Sequence, residues 1–140
     1  MKKRSFILFF VCFILFGGAL YAQKIDMPSN RLEELLCRKW VASYAMLGGM
    51  RIDQKPGATA INYEFKRDKA FILTGGQPGK PLNGTWRYDS EKKVILLSVN
   101  GNKNSQVVSL KEDELMMLVD TKAATPDDPE AIRMVYKIKE

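Results

Sequence analysis

Acidic side chains come in clusters along this chain: Glu33-Glu34, Glu112-Asp113-Glu114, and Asp127-Asp128 with Glu130. Two carboxylates side by side can divide acid and base duties, because each raises the other's affinity for a proton. Several together can hold calcium through oxygen ligands. The neighbouring residues favour plainer roles. Glu33-Glu34 falls in the first turn of a short helix, where negative charge suits the helix dipole. Glu112-Asp113-Glu114 opens a hairpin turn. Asp127-Asp128 and Glu130 lie in a loop that lacks the alternating oxygens and the glycine of a calcium-binding loop. The chain contains no histidine. That removes Ser-His-Asp and Cys-His nucleophilic catalysis, imidazole-based zinc sites and a haem held by a proximal histidine. Carboxylate or lysine chemistry, as in a hydrolase or isomerase, and metal binding through oxygen remain open, but no catalytic residue, metal or cofactor is expected and the protein reads as a non-enzyme.

The remaining chemistry is non-covalent. Trp40, Tyr44, Met46, Tyr63, Phe65, Phe71, Trp86, Met117, Met134 and Tyr136 are large apolar or amphipathic side chains at alternating positions of extended segments. Nine of them, all except Met46, are the candidate ligand-binding residues. Aromatic rings and flexible thioethers suit an adaptable apolar pocket, and a tyrosine hydroxyl can orient the polar end of a guest. The alternative is an ordinary core, since a chain of this length uses most of its large side chains for stability.

Strands must position these residues. Short apolar or alternating segments recur at Trp40–Leu47, Ala58–Lys66, Ala70–Thr74, Leu82–Asp89, Val94–Val99, Ser105–Lys111, Glu114–Thr121 and Ile132–Lys139. Polar turns join most of them, and Asn100-Gly101 is a hairpin signal because both residues tolerate positive φ. Such a meander of about eight strands closes into a barrel or packs as a sandwich. The last segment alternates Ile132, Met134, Tyr136 and Ile138 with Arg133, Val135, Lys137 and Lys139, which predicts pairing with an early strand and closure. The fold class is thus all-β, an antiparallel up-and-down eight-stranded barrel. In the first strand, Trp40, Ala42, Tyr44 and Met46 are expected to face inward. Arg51-Ile52-Asp53 is ambiguous between strand and turn. Val94–Val99 is apolar on both faces and is expected to be covered on both.

A short helix precedes the strands. Asn30 with Glu33 has capping-box spacing, and Leu32, Leu35 and Leu36 share one face. So short a helix is unstable alone and must rest its Leu face on something, most naturally a mouth or floor of the barrel. Gln23–Ser29 is expected to be an unstructured lead-in. Ahead of it, Met1-Lys2-Lys3-Arg4 and the apolar run Ser5 to Leu20, ending at Leu20-Tyr21-Ala22, have the layout of a signal peptide. Residues 1–22 are read as that leader and 23–140 as one domain, periplasmic or secreted, with no stable membrane anchor after cleavage. Loss of Lys2, Lys3 and Arg4 brings the formal charge from +6 to +3. The basic residues are interspersed with acids, which is no footprint for nucleic acid. Of the two cysteines, Cys12 belongs to the leader, so Cys37 has no intramolecular partner.

The helix Leu32–Leu36 leading to Trp40, then Tyr63-Glu64-Phe65 with Asp68, Gly84-Thr85-Trp86 followed by Ile95 and Leu97, and Leu115-Met116-Met117-Leu118 together resemble the lipocalin-like small domains of exported bacterial proteins, especially of the Bacteroidetes group. The resemblance spans residues 30–140 and rests on packing positions. It implies a lipocalin-like barrel that binds a small apolar or amphipathic molecule. The alternative is a non-catalytic envelope module with a filled barrel, whose loops Gly76–Pro81 and Thr121–Glu130 contact a protein partner.

Overall fold

A computed structural model describes residues 24–57, 59–75, 80–119 and 131–139. Residues 1–22, expected to be a leader, residues 76–79 and the acidic stretch 120–130 lie outside the described residues. The elements run α1 (Ser29–Leu36), β1 (Lys39–Leu47), β2 (Met50–Asp53), β3 (Asn62–Phe65), β4 (Ala70–Thr74), β5 (Leu82–Asp89), β6 (Val94–Val99), β7 (Asn102–Leu110), β8 (Glu114–Val119) and β9 (Arg133–Ile138).

From β3 to β9 each strand pairs antiparallel with the next, and β9 returns to β1. β1 also pairs with β3, so eight strands close a ring. Closure satisfies the backbone groups that an open sheet would leave along its edges. β2 is the extra strand. It shares an edge of β1 with β3: β3 takes Lys39–Val41 and β2 takes Tyr44–Leu47. The ambiguous Arg51-Ile52-Asp53 is thus a strand, and the expected strand at Ala58–Lys66 shrinks to Asn62–Phe65. Ile61, just before β3, still accepts from the Ala42 N–H with its carbonyl (2.9 Å).

Turn chemistry fixes the register locally. Asn100 (φ 52°) and Gly101 (φ 78°) form the two-residue link between Val99 and Asn102, with both residues at positive φ. Gly84 stands opposite Phe71, and a Cβ there would overlap the Phe71 ring. The glycine is what lets that ring lie flat across β5.

The main core gathers the inner faces of the strands and the Leu face of α1. Leu32, Leu35 and Leu36 are buried in it with Trp40, Phe65, Phe71, Trp86, Ile95, Leu97, Val107, Leu115 and Met117. Trp40 Nε1 donates to the Leu36 carbonyl (3.0 Å), and Trp86 Nε1 to the Lys66 carbonyl (2.9 Å). Each indole thus buries its ring and satisfies its one donor. A second cluster, Val94, Leu96, Val108 and Leu118 with Ala131, occupies the opposite phase of β6–β8. The two-sided apolar character of Val94–Val99 has its cause here, since Ile95 and Leu97 serve the first cluster.

Three expectations are corrected. Register shifts on β1 between Ala42 and Tyr44, so one extra residue inverts the phase beyond that point. Trp40 and Ala42 keep the inward phase, paired with Ile138 and Tyr136, but Tyr44 stands beside Val135 on the outer face, and Met46 beside Arg133. The Arg51 guanidinium lies 4.0 Å from the centre of the Tyr44 ring, a cation–π contact on that outer face. Second, the helix begins at Ser29 after Pro28 with no side-chain cap, so Asn30 and Glu33 make no capping box. Glu33 instead pairs with Lys69 at 2.8 Å. Third, the lead-in is docked. Ile25 is buried, its N–H donates to the Lys93 carbonyl (3.0 Å), and the Tyr88 hydroxyl donates to its carbonyl (2.6 Å).

Candidate functional site

The two ends of the barrel differ. At one end gather α1, Ile25 and the turns after β3, β5 and β7. At the other lie the β1–β2 and Asn100-Gly101 turns, and the β4–β5 and β8–β9 connections also leave from it. Inner-face side chains are sealed at the first end and open at the second. On β8 the series is Leu115 0%, Met117 1% and Val119 37% exposed. On β5, Trp86 is buried, Gly84 is half-buried and Leu82 is exposed. On β1, Trp40 and Ala42 are buried, Ala45 is half-buried and Leu47 is exposed. Among the described residues the large exposed apolar side chains are Leu47, Met50, Ile52, Leu82, Val119 and Ile132. Strand pairing places Leu47, Met50, Ile52, Leu82 and Val119 on the inner phase at the open end. Ile132 continues the inner phase of Met134 on β9, and its carbonyl accepts from Val119 N–H at 3.1 Å. The open end thus presents apolar side chains, with half-buried Leu73, Val99 and Met134 packed against the core beneath them.

The core beneath this end carries hydroxyls. Tyr63 is hydrogen-bonded to Ser105, and the Tyr63 and Tyr136 rings meet edge to face at 5.4 Å. Burial pushes both phenols above the ordinary tyrosine range. The Ser105 hydrogen bond partly offsets this at Tyr63, whereas the nearby Tyr63 charge adds to it at Tyr136. Both hydroxyls therefore stay protonated and can donate. Phe65 and Phe71 stack and tilt against Tyr63 at 5.6 and 5.7 Å, which fixes its ring.

The proposed ligand-binding residues thus divide into three groups. Trp40, Phe65, Phe71, Trp86 and Met117 are sealed core at and above the helix. Tyr63 and Tyr136 are buried in the same core cluster, and half-buried Met134 packs against it. Tyr44 is outside it. The rim residues Leu47, Met50, Ile52, Leu82, Val119 and Ile132, and Ser105 beneath them, were not among the candidates. Their alternation gives the inner phase of several, but only the position of α1 shows which end is open.

The acidic clusters are engaged in surface pairs. Glu112 meets Arg31 at 2.8 Å and Glu114 meets Lys137 at 2.7 Å. Asp127, Asp128 and Glu130 lie outside the described residues. Among the described residues no three His, Cys, Asp or Glu side chains come together as a metal site. Burial, then the charge of Glu33, pushes the half-buried Cys37 thiol up, away from the reactive thiolate. An open depression of ≈ 510 Å³ between α1 and β5 is lined by Leu32, Glu33, Lys69 and Trp86 among others. Its charges already answer each other: Lys69 pairs with Glu33 and lies 4.1 Å from the Trp86 ring centre. No described helix is long and apolar enough to cross a membrane.

No family model, no curated protein and no solved structure matches the chain.

Proposed function

We propose that this chain is an exported, lipocalin-like binding protein, periplasmic or secreted, that holds a small apolar or amphipathic molecule in the open half of its barrel. The observation that carries this reading is the exposure gradient along the inner face. A barrel packed only for stability has reason to bury its large side chains, yet here they become exposed toward one mouth. Below that rim, tyrosine and serine hydroxyls stand among aromatic rings, the mixture of apolar wall and few polar groups that suits small-molecule sites. No catalytic step, cofactor or nucleic acid belongs to this reading.

A second reading, a non-catalytic envelope interaction module, is favoured by β2. All of its residues are exposed, and no described strand pairs with its outer edge. Such an edge can accept a strand from a partner.

Native mass spectrometry of the protein recovered from its own cells tests both the export and the cargo. The expected species begins at Gln23 and carries a small-molecule mass that disappears in Ile132→Asp. A chain that retains residues 1–22 would contradict export. A bare mass, with no uptake of an added apolar dye, would sink the cargo reading and direct the search to proteins captured along β2.

A further inference from the structure

At the sealed end, β5 outruns the strand beside it. β4 begins at Ala70, opposite Thr85, whereas β5 continues to Asp89. The last bond between them runs from the Trp86 N–H to the Lys69 carbonyl (2.8 Å). The Lys69 N–H, which would complete that pair, donates to the Lys66 carbonyl instead (3.3 Å), because the chain folds back there with Lys69 at φ 70°. Main-chain groups two residues apart on a strand point to the same side. The Tyr88 N–H and C=O therefore point, like the Trp86 N–H, to the side that β4 has left, while Arg87 between them faces β6 opposite Leu96. Among the described residues no backbone group meets Tyr88 from that side.

Open space lies along this edge. The depression of ≈ 510 Å³ separates Trp86, Arg87 and Tyr88 of β5 from Ser29 and Leu32 of α1. Its lining also includes Lys69 and Glu33, which neutralise each other at 2.8 Å. Arg87 is the surplus charge. It is exposed, and among the described residues it makes no ion pair; its charge is only the last of the causes that hold the Asp89 carboxyl below its ordinary range. A free strand edge offers main-chain hydrogen bonds to an extended chain, and an unpaired guanidinium beside it favours a carboxylate.

We infer that the free edge of β5 takes an extended segment of a partner protein by strand addition, with an acidic side chain opposite Arg87 and an apolar one opposite Tyr88. A residue opposite Tyr88 can exchange both main-chain hydrogen bonds with it. Its side chain falls on the inner phase, toward Leu32 of α1. The next side chain along falls on the outer phase with Arg87, where opposite charges across a ladder attract. The edge lies at the other end of the barrel from the open mouth and from β2, so it provides for a protein partner whether or not the mouth holds a molecule.

Amide hydrogen exchange tests the edge, and labelled peptides test the guest. In the free protein the Tyr88 amide should exchange fast and the Arg87 amide slowly; equal protection of the two would overturn the inference. Three fluorescein-labelled hexapeptides serve as probes at physiological salt, read by anisotropy: alternating valine and glutamate, alternating valine and lysine, and the glutamate peptide with its valine amides N-methylated. The glutamate peptide is expected to bind about fivefold more tightly than the lysine peptide and to protect the Tyr88 amide. N-methylation should abolish binding. Arg87→Glu, at an exposed position, should remove the preference for glutamate. Equal binding of the glutamate and lysine peptides, a preference unmoved in Arg87→Glu, or binding of none of the three would overturn the inference. So would undiminished binding of the N-methylated peptide, which would make the depression a site for a carboxylate alone. A dimer formed without peptide and lost in Arg87→Glu would give the edge to a second copy of this chain instead.

Discussion

The two halves of the barrel interior are built from the same strands and differ in what closes them. At the sealed end, α1 lays Leu32, Leu35 and Leu36 against Trp40, and Ile25 is tied down by Lys93 and Tyr88. Every large side chain there has neighbours on all sides, and the two indole N–H groups are met by backbone carbonyls. At the open end the same strands continue with the same alternation, but the described residues place no such plug. Hydrophobic character along a strand therefore records two different tasks. In the lower half it holds the fold together, and in the upper half it shapes a surface that water or a guest must cover.

The comparison breaks most readily at Trp40. Trp40→Ala is expected to destabilise the protein by about 3–5 kcal/mol, because the residue is fully buried and its removal opens a cavity beneath α1. The matching change at the rim, Leu82→Ser, should change the free energy of urea unfolding by no more than about 0.5 kcal/mol, since Leu82 is exposed, while weakening uptake of an apolar dye. Equal losses of stability at the two positions would contradict the division. Next in size is Gly84→Val. It drives a side chain into the Phe71 ring at the boundary between the halves and should cost about 1–3 kcal/mol in the same unfolding assay.

Tyr63 and Tyr136 add a dependence on alkaline pH. Their folded values lie above the ordinary 10.0, so the fold favours the neutral phenols. That stabilisation is complete below the ordinary value and is lost as pH rises through it toward the raised folded values. Tyrosinate absorbance of Tyr63 and Tyr136 should therefore appear only with alkaline unfolding. Their early ionisation in the folded protein would show a core wetter than described. The smallest effect belongs to Glu33 at the sealed end. The hydrogen bond and charge of Lys69, then the charge of Arg67, hold its carboxyl below the ordinary 4.5. Its contribution is present above that value and is lost as pH falls through the lower folded one. Glu33→Gln should flatten that part of the acid unfolding curve, read by Trp fluorescence.

Much of the barrel was legible in the sequence because its strands alternate and its turns use residues suited to them. Leu82–Asp89 and Val94–Val99 fall where their patterns place them, and Asn100-Gly101 makes the tight hairpin that its two residues favour. The regular alternation of Ile132 to Ile138 foretold closure against β1. Less of the site was legible. The extra residue at Ser43 reverses the phase of Tyr44 and Leu47, and nothing in the alternation Trp40 to Leu47 marks it, because both phases there are largely apolar. The rim residues look like core residues in sequence, since exposure at a mouth depends on where the helix sits and not on the strand that carries them. Ile25 was missed for a related reason. Its anchors, Lys93 and Tyr88, are distant in sequence and its own segment has no periodicity.

The most direct measurement is a map of NMR chemical-shift changes on titrating 2-naphthol into isotope-labelled protein. Shifts confined to Leu82, Val119, Ile132 and Met134, with Leu32, Leu36, Trp40 and Trp86 unmoved, are expected of a barrel sealed by its helix and open to a guest at the other end. Shifts centred on the helix and the tryptophans, or spread evenly over the outer face, would contradict it.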